Sequence, residues 1–169
     1  TPGIKVFAPM TPSEWIMVWI EYLAGDDPIY CSESRLAFNL DEMESCYNPD
    51  PDICIVAVGP ARLAAREAVK YIVDKGWSVS IIDQVNLKPF SMKPSEYARI
   101  ETAKMVLVVD SDYQSCGISE HICCELRSIN PNCIPLGMED KTAGFGASRD
   151  NKTPTADKIV NLVRNFYES

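Results

Sequence analysis

Residues 76–90 read GWSVSIIDQVNLKPF, and this stretch decides the fold class. Gly76 is typical of the residue that follows the last turn of a helix, because glycine readily adopts the left-handed backbone conformation that ends many helices. Residues 78–83 include Val79, Ile81 and Ile82, as in a strand buried within a sheet. An Asp-x-x-x-Leu-Lys-Pro turn follows, from Asp83 to Pro89. The stretch therefore predicts a helix end, a buried strand and a turn in succession.

The same alternation extends over the second part of the chain. Apolar runs predict strands at residues 53–59, 78–83, 105–110 and 133–136, and helical patterns predict helices at 60–75, 93–103, 117–128 and from 153 to the end. The expected core positions of the first of these helices are Ala64, Val69, Ile72 and Val73. Strands joined by helices imply right-handed crossovers and a parallel sheet between two helical layers. We therefore predict an α/β fold, a three-layer sandwich with a mostly parallel sheet, over residues 49–169.

The first 48 residues contain fewer elements. A strand is expected at residues 4–8, a helix from Pro12 to about Leu23 with a Thr11–Glu14 capping box, a strand from residue 29, and a polar linker at 41–52. Two strands and one helix can bury their apolar faces only against something else. The helix carries an aromatic stripe of Trp15, Trp19 and Tyr22, which we expect to pack against another domain or a partner. Residues 1–48 are therefore predicted to be an incomplete α/β fragment.

Composition excludes several classes of function. The net charge of −8 argues against a nucleic-acid partner, because phosphates select basic surfaces. No apolar run reaches the roughly 20 residues of a membrane span, and no signal peptide opens the sequence. The seven cysteines have no zinc-site spacing, and there is a single histidine, so reduced, buried cysteines are expected. These features predict a cytoplasmic protein, or one of the mitochondrial matrix in a eukaryote.

Few residues suggest chemistry of their own. His121 could carry a proton near neutral pH, with Glu120 nearby, although consecutive helical residues do not face each other; a surface or interface role is the alternative. Cys116, before a predicted helix, is either a redox-sensitive thiol or a small residue in a tight turn. The segment 144–146, Gly-Phe-Gly, is interpreted as a loop and not as a phosphate cradle. The acidic residues at 41–52 lack the ligand register of a calcium loop.

Several segments, in order, resemble a known family. They are Gly3–Pro12, Asp27–Tyr30, Asp52–Gly59, Ile82–Pro89, and Val108–Asp110 followed by Ser115–Gly117. The sequence resembles the C-terminal region of the β-subunits of thiamine-diphosphate-dependent 2-oxo acid dehydrogenases, pyruvate dehydrogenase-like members of the transketolase superfamily. It departs from the family where Asp110-Ser111 replaces a frequent His-Glu pair and where Cys116-Gly117 replaces paired glycines.

The resemblance implies a transketolase C-terminal-like domain at residues 49–169, after the end of a pyrimidine-binding-like domain at 1–48. It also implies that thiamine diphosphate and Mg act in the complete enzyme but bind elsewhere. The family's glutamate and stacking aromatic, both acting on the aminopyrimidine ring, lie upstream of the Gly3–Pro12 element. No catalytic, cofactor-binding or metal-binding residue is therefore expected in this chain.

The implied role is subunit assembly, in a homodimer or with an α-type thiamine-diphosphate-binding subunit. The expected subunit contacts are Leu87, Pro89, Phe90, Gly117 and His121. Two alternatives remain open: part of a transketolase-like or deoxyxylulose-phosphate-synthase-like subunit, and a freestanding, non-catalytic interaction module. A small-molecule site at the carboxyl ends of the strands is a third possibility, without support from particular residues.

Overall fold

The computed structural model describes residues 3–142 and 152–168. The strands are β1 (Lys5–Phe7), β2 (Ile29–Cys31), β3 (Ile53–Val58), β4 (Val79–Gln84), β5 (Asn86–Lys88), β6 (Met105–Tyr113) and β7 (Cys133–Met138). The helices are α1 (Pro12–Leu23), α2 (Ala61–Val73), α3 (Pro94–Thr102), α4 (Ile118–Leu126) and α5 (Ala156–Glu168), with a short 3₁₀ helix at Arg35–Asn39. The predicted elements are present, and β5 is an additional strand.

The larger sheet has four parallel strands in the order β4-β3-β6-β7. The central strands β3 and β6 pair from Ile53 opposite Met105 to Ala57 opposite Val109. Every residue of β3 is buried, because helices cover both faces of the sheet. This confirms the predicted α/β sandwich with a mostly parallel sheet.

The two helical layers bury opposite faces of this sheet. On one face, α2 and α5 pack on Ile53, Ile55 and Leu107; on the other, α3 and α4 pack on Val56, Val106 and Val108. The alternation of side chains along each strand sends neighbouring residues to different layers. In α5, Ile159 and Val163 are fully buried in this core.

One expected core position in α2 is wrong. Val73 is half exposed, and the buried row of α2 consists of small residues at helical spacing, with Ile72 at its end. The members of this row are Ala61, Ala65, Ala68 and Ile72. Small side chains let α2 lie close to the sheet, and the helix rotates accordingly.

The N-terminal segment, residues 3–47, forms a second, smaller sheet with the rest of the chain. The strand β1 pairs in parallel with β2 and antiparallel with β5. Because β5 follows β4 after one residue, the pairing attaches the N-terminal segment next to the larger sheet. The helix α1 begins as predicted, and the Glu14 carboxylate accepts the Thr11 N–H at 3.3 Å.

A buried ion pair also joins the N-terminal segment to the larger sheet. Arg62 in α2 is fully buried, and its Nη1 atom lies 2.7 Å from Oε1 of Glu14 in α1. Its Nη2 atom donates to the carbonyls of Ala8 and Gln84. The segment from 41 to 48, predicted as a linker, has no regular structure, but the Cys46 carbonyl accepts the Ile81 N–H and thus covers the edge of β4.

The aromatic stripe of α1 is left largely uncovered by the residues that the structure describes. Trp15 is half-buried, whereas Trp19 is 59% exposed and Tyr22 is also exposed. Only Val18 of the helix is fully buried. What packs against this stripe stays a prediction.

The cysteines are all free thiols. Only Cys54, Cys123 and Cys133 are buried, so the expectation of buried cysteines holds for three of them.

Candidate functional site

The arrangement of the strands creates a crevice at one end of the larger sheet. From β3 the chain crosses to β4 on one side, and later to β6 on the other side of β3. The helix after β3, α2, lies on one face, while the helix after β6, α4, lies on the opposite face. Ligands of open α/β sheets bind where the strand order reverses in this way, beyond the carboxyl ends of the strands. The candidate site lies at this position.

The site, which we name the carboxyl-end cleft, has a volume of about 940 Å³. Its walls come from the N-terminal segment, from the stretch that follows β4, from the ends of β3 and β6, and from α4. The apolar lining residues are Val6, Val58, Leu87, Pro89, Phe90 and Ile118. The polar ones are Tyr30, Ser32, Lys88, Asp110, Ser111, Asp112, His121 and Glu125.

Four of the five residues that the sequence predicted for subunit contacts line this one cleft. They are Leu87, Pro89, Phe90 and His121. The fifth, Gly117, precedes Ile118, which is itself part of the lining. The structure therefore brings together residues that are about 30 positions apart in the sequence. Their contact with another chain stays a prediction.

Gly117 has a steric role in the turn that leads into α4. A Cβ atom at this position would lie 1.9 Å from the Tyr113 carbonyl oxygen, which no side chain could tolerate. The preceding Cys116 has a φ of 57° and is exposed, and its N–H donates to Glu120 Oε2 at 3.1 Å. Cys116 therefore belongs to a tight turn, one of the two roles considered from the sequence.

His121 is exposed on α4 and borders the cleft. Glu120, the residue considered as its partner in proton transfer, turns instead toward the Cys116 N–H. The geometry therefore provides no Glu120–His121 relay, as the positions of consecutive residues on a helix require.

Asp110 is the buried charged group of the cleft, and the sequence did not single it out as a site residue. Only 5% of its surface is exposed, and Oδ1 accepts the Ser111 N–H at 2.7 Å. Burial, with a smaller contribution from the nearby Asp112 charge, raises the pKa of Asp110 to about 6. No basic side chain in residues 3–142 or 152–168 forms an ion pair with it. The feature of the sequence that could have indicated Asp110 as a site residue is its position as an aspartate at the end of an apolar strand.

A second depression adjoins the cleft on the side of α2. Its volume is about 450 Å³, and it shares Ser111 with the cleft. Leu36, Pro60 and Leu63 contribute to its walls. The two depressions meet at Ser111, beyond the carboxyl ends of β3 and β6.

The cleft does not fit a phosphate-bearing ligand. Asp110, Asp112 and Glu125 would repel the negative charge of a diphosphate. Among the described residues, no group of three or more histidine, cysteine or acidic side chains is placed to hold a metal ion. The predicted loop at 144–146 lies outside the described residues. No helix in the described part of the chain is both long and apolar enough to cross a membrane.

Comparison with known sequences identifies relatives along most of the chain. Residues 46–140 match the family described as the transketolase C-terminal domain. The chain is 21% identical over 180 residues to the acetoin:2,6-dichlorophenolindophenol oxidoreductase β-subunit of Bacillus subtilis, covering 96% of this chain and 52% of the relative. It is 30% identical over 129 residues to the pyruvate dehydrogenase E1 β-subunit of Chaetosphaeridium globosum, covering 69% of this chain and 39% of the relative.

Solved structures share the fold. A split-gene transketolase, described as an inactive β4 tetramer, superposes with a TM-score of 0.68 at 16% identity, covering 97% of this chain and 58% of that one. The transketolase of Campylobacter jejuni superposes with a TM-score of 0.61 at 13% identity, covering 97% and 26%.

The chain thus spans about half the length, or less, of the curated relatives named above. The family match covers more than half of this chain, and both curated relatives are β-subunits. The resemblance found in the sequence is therefore confirmed. The chain belongs to the family that shares the transketolase C-terminal domain, with the β-subunits of pyruvate dehydrogenase E1 and acetoin oxidoreductases among its relatives.

Proposed function

We propose that this chain is the C-terminal part of a thiamine-diphosphate-dependent 2-oxo acid dehydrogenase β-type subunit. Its task is subunit assembly, and it supplies no catalytic residue of its own. The observation that carries the proposal is the family match over residues 46–140, in a chain whose curated relatives are β-subunits. The domain boundary near residue 48 belongs to the proposal; the start of the match at residue 46 supports it.

The cofactor has its place elsewhere in the complete enzyme. Thiamine diphosphate would supply the electron-sink chemistry in the complete enzyme, so this chain would not need to provide it. The acidic lining of the carboxyl-end cleft disfavours its diphosphate group. Thiamine diphosphate and Mg are therefore assigned to another domain or an α-type partner, and the proposed compartment is the cytoplasm or, in a eukaryote, the mitochondrial matrix.

Two surfaces of the chain suit assembly. The first is the carboxyl-end cleft, where the expected contact residues Leu87, Pro89 and Phe90 meet. The second is the exposed stripe of α1 with Trp19 and Tyr22. Exposed apolar surface of this kind marks protein contacts. The related split-gene transketolase forms a β4 tetramer that is inactive, and we propose that this chain likewise has no activity without its partner.

The test is the mass of the purified chain in solution, alone and mixed with the α-type thiamine-diphosphate-binding chain from the same source. Sedimentation velocity should show a stable complex. Once the partner or a further chain supplies the family's glutamate and stacking aromatic, the complex should oxidise a 2-oxo acid with 2,6-dichlorophenolindophenol as acceptor, only when thiamine diphosphate is present. This chain alone should not. Turnover of a ketose instead would identify a transketolase-like subunit. A monomer that recruits no partner would leave only the freestanding interaction module.

A pair of matched tyrosines locates the contact. Tyr30→Asp places a charge on the rim of the cleft, where Tyr30 is 61% exposed. Tyr71→Asp makes the same change on α2, where Tyr71 is 44% exposed and lies outside the cleft. We expect the first variant to weaken the complex and the second to leave its stability unchanged. Equal behaviour of the two variants would contradict a contact at the cleft.

A further inference from the structure

The carboxyl-end cleft carries an excess of negative charge. Three acidic residues, Asp110, Asp112 and Glu125, line it. The basic side chain in the lining is that of Lys88, and His121 also borders the cleft. The cleft therefore favours a positively charged group over a neutral or anionic one.

Asp110 is built into the cleft as an acceptor. Only 5% of the surface of Asp110 is exposed. Its Oδ1 atom accepts the N–H of the adjacent Ser111, within strand β6. Removing a carboxylate from water without a cationic partner is costly. A cation that enters the cleft would offset that cost, and the apolar walls of Val58, Leu87 and Phe90 would exclude water from the resulting ion pair.

The surface around Asp110 is larger than a small ligand needs. The cleft continues through Ser111 into the second depression, which adds about 450 Å³. Large apolar side chains stand exposed along both parts, including Tyr30 in the cleft and Leu36 in the depression. An extended apolar surface around one buried polar anchor is the anatomy of a protein–protein contact, with its central hot spot.

We propose that the carboxyl-end cleft receives a lysine or arginine side chain from the α-type partner chain, and that this side chain pairs with the Asp110 carboxylate between apolar walls. The proposal rests on the function proposed above, and it names the chemistry of the partner at this contact. Asp110 would thus take part in recognising the partner chain and not in catalysis.

The pH dependence of binding follows from the groups that face the cleft. Besides Asp110, these are Lys88 of β5, Asp112 of β6, His121 and Glu125 of α4, and Tyr30 of β2. Because burial raises the pKa of Asp110 to about 6, Asp110 loses its charge in the free chain at a higher pH than ordinary carboxylates. Lowering the pH from 7.5 to 5 should therefore weaken the association of the wild-type chain more than that of a variant without the Asp110 carboxylate.

The experiment compares two isosteric variants in titration calorimetry with the α-type chain. Asp110→Asn removes the buried charge, and Asp74→Asn removes an exposed charge at the end of α2, outside the cleft. We expect at least about tenfold weaker binding for the first variant and wild-type affinity for the second, because a buried charge left without its partner is strongly unfavourable. The decrease in affinity for the α-type chain between pH 7.5 and pH 5 should largely disappear in Asp110→Asn. Glu125→Lys, at an exposed position of the rim, should slow association several-fold.

The outcomes separate the two proposals. If the wild-type chain binds its partner and Asp110→Asn binds equally well at both pH values, the contact at Asp110 is refuted while the subunit assignment stands. If the wild-type chain binds no partner, the subunit assignment fails, and the contact with it. Butylammonium serves as a small cationic probe. Millimolar competition with the partner supports the proposal, whereas tight binding that leaves partner affinity unchanged would assign the cleft to a free small molecule and overturn it.

Discussion

The larger sheet and the N-terminal segment differ in how they treat apolar residues. In the sheet, every residue of β3 is buried between two helical layers. In the N-terminal segment, α1 is equally rich in large apolar side chains, yet Ile16, Trp19, Ile20 and Leu23 are exposed. The difference teaches that a buried position depends on a second layer of structure. Among residues 3–142 and 152–168, helices form such a layer over both faces of the larger sheet, whereas much of the apolar surface of α1 has none.

The two regions are nevertheless firmly attached to each other. The pairing of β1 with β5 supplies backbone hydrogen bonds, and the Glu14–Arg62 ion pair supplies a buried electrostatic contact. Removing Glu14 would leave the buried Arg62 with only a longer ion pair, from its Nε atom to Asp83 Oδ1 at 3.7 Å. Weakening the compensation of a buried charge is strongly destabilising even where the pair itself adds little. The attachment of the N-terminal segment therefore depends on a few strong contacts, whereas the stability of the larger sheet depends on its whole hydrophobic core.

The largest effect should come from truncating one leucine in each region. Leu107 in β6 is 0% exposed, and Leu23 at the end of α1 is 78% exposed. Leu107→Ala should lower the free energy of unfolding by about 4 kcal/mol, through lost burial and a cavity. Leu23→Ala should change it by less than about 0.5 kcal/mol. Urea denaturation measures both, and similar losses would show that α1 is covered in solution, for example by self-association.

The second effect tests the contact between the regions. Glu14→Gln turns an amide toward the fully buried Arg62 guanidinium and should destabilise the fold by about 3 kcal/mol. Glu21→Gln on the same helix removes a partly exposed ion pair with Lys5 and should cost less than about 1 kcal/mol. Hydrogen exchange should show faster opening of α1 in the first variant. Unchanged exchange would mean that strand pairing alone holds the segment.

The third prediction concerns Asp110 in the carboxyl-end cleft, where a substitution should raise the free energy of unfolding instead of lowering it. The raised pKa of Asp110, about 6, means that the native state binds its proton more tightly than the unfolded chain. The stability that protonation provides is complete below about pH 4 and is lost as the pH rises through 6. Asp110→Asn should therefore stabilise the chain by about 3 kcal/mol at pH 7.5 and by nothing at pH 3.5. A destabilised variant at pH 7.5 would show that the charge is compensated within the chain.

The smallest effect concerns the end of the sheet opposite the cleft. The ion pair with Lys104 at 2.8 Å and the N–H of Ser78 lower the pKa of Asp52 to about 2. This stabilisation is present above about pH 4 and is lost as the pH falls through 2. Because Lys104 is largely exposed, screening reduces the contribution to about 1 kcal/mol. In denaturation experiments, Asp52→Asn should lower the free energy of unfolding by this amount at pH 7 and by nothing at pH 2. A decrease that is independent of pH would show that the hydrogen bonds of Asp52, and not its charge, are responsible.

Local patterns predicted most of the elements because each has its own periodicity. The apolar run before Gly59 and the capping box at Thr11 and Glu14 fixed β3 and the start of α1. The strand β5 escaped prediction because three residues after a turn carry no period, and their strand character comes from pairing with β1. Val73 was misplaced because the rotation of α2 depends on the small alanines that face the sheet.

The candidate site was predicted only in part. Leu87, Pro89 and Phe90 were expected at a contact, and the structure places them in one cleft with His121. Asp110 and the buried Arg62 were missed, since the sequence does not state how deeply a charged residue lies or which distant group faces it. Burial of a charge is decided by all the elements that surround it.

The sequence by itself determined the α/β class, the strand and helix order, the family and the acidic character that disfavours nucleic acid, because these follow from local periodicity, composition and ordered motifs. Only the tertiary structure decided the order of the strands, the position of the carboxyl-end cleft and the raised pKa of Asp110. The physical reason is that desolvation and charge pairing act through space, between groups that the chain brings together from distant positions.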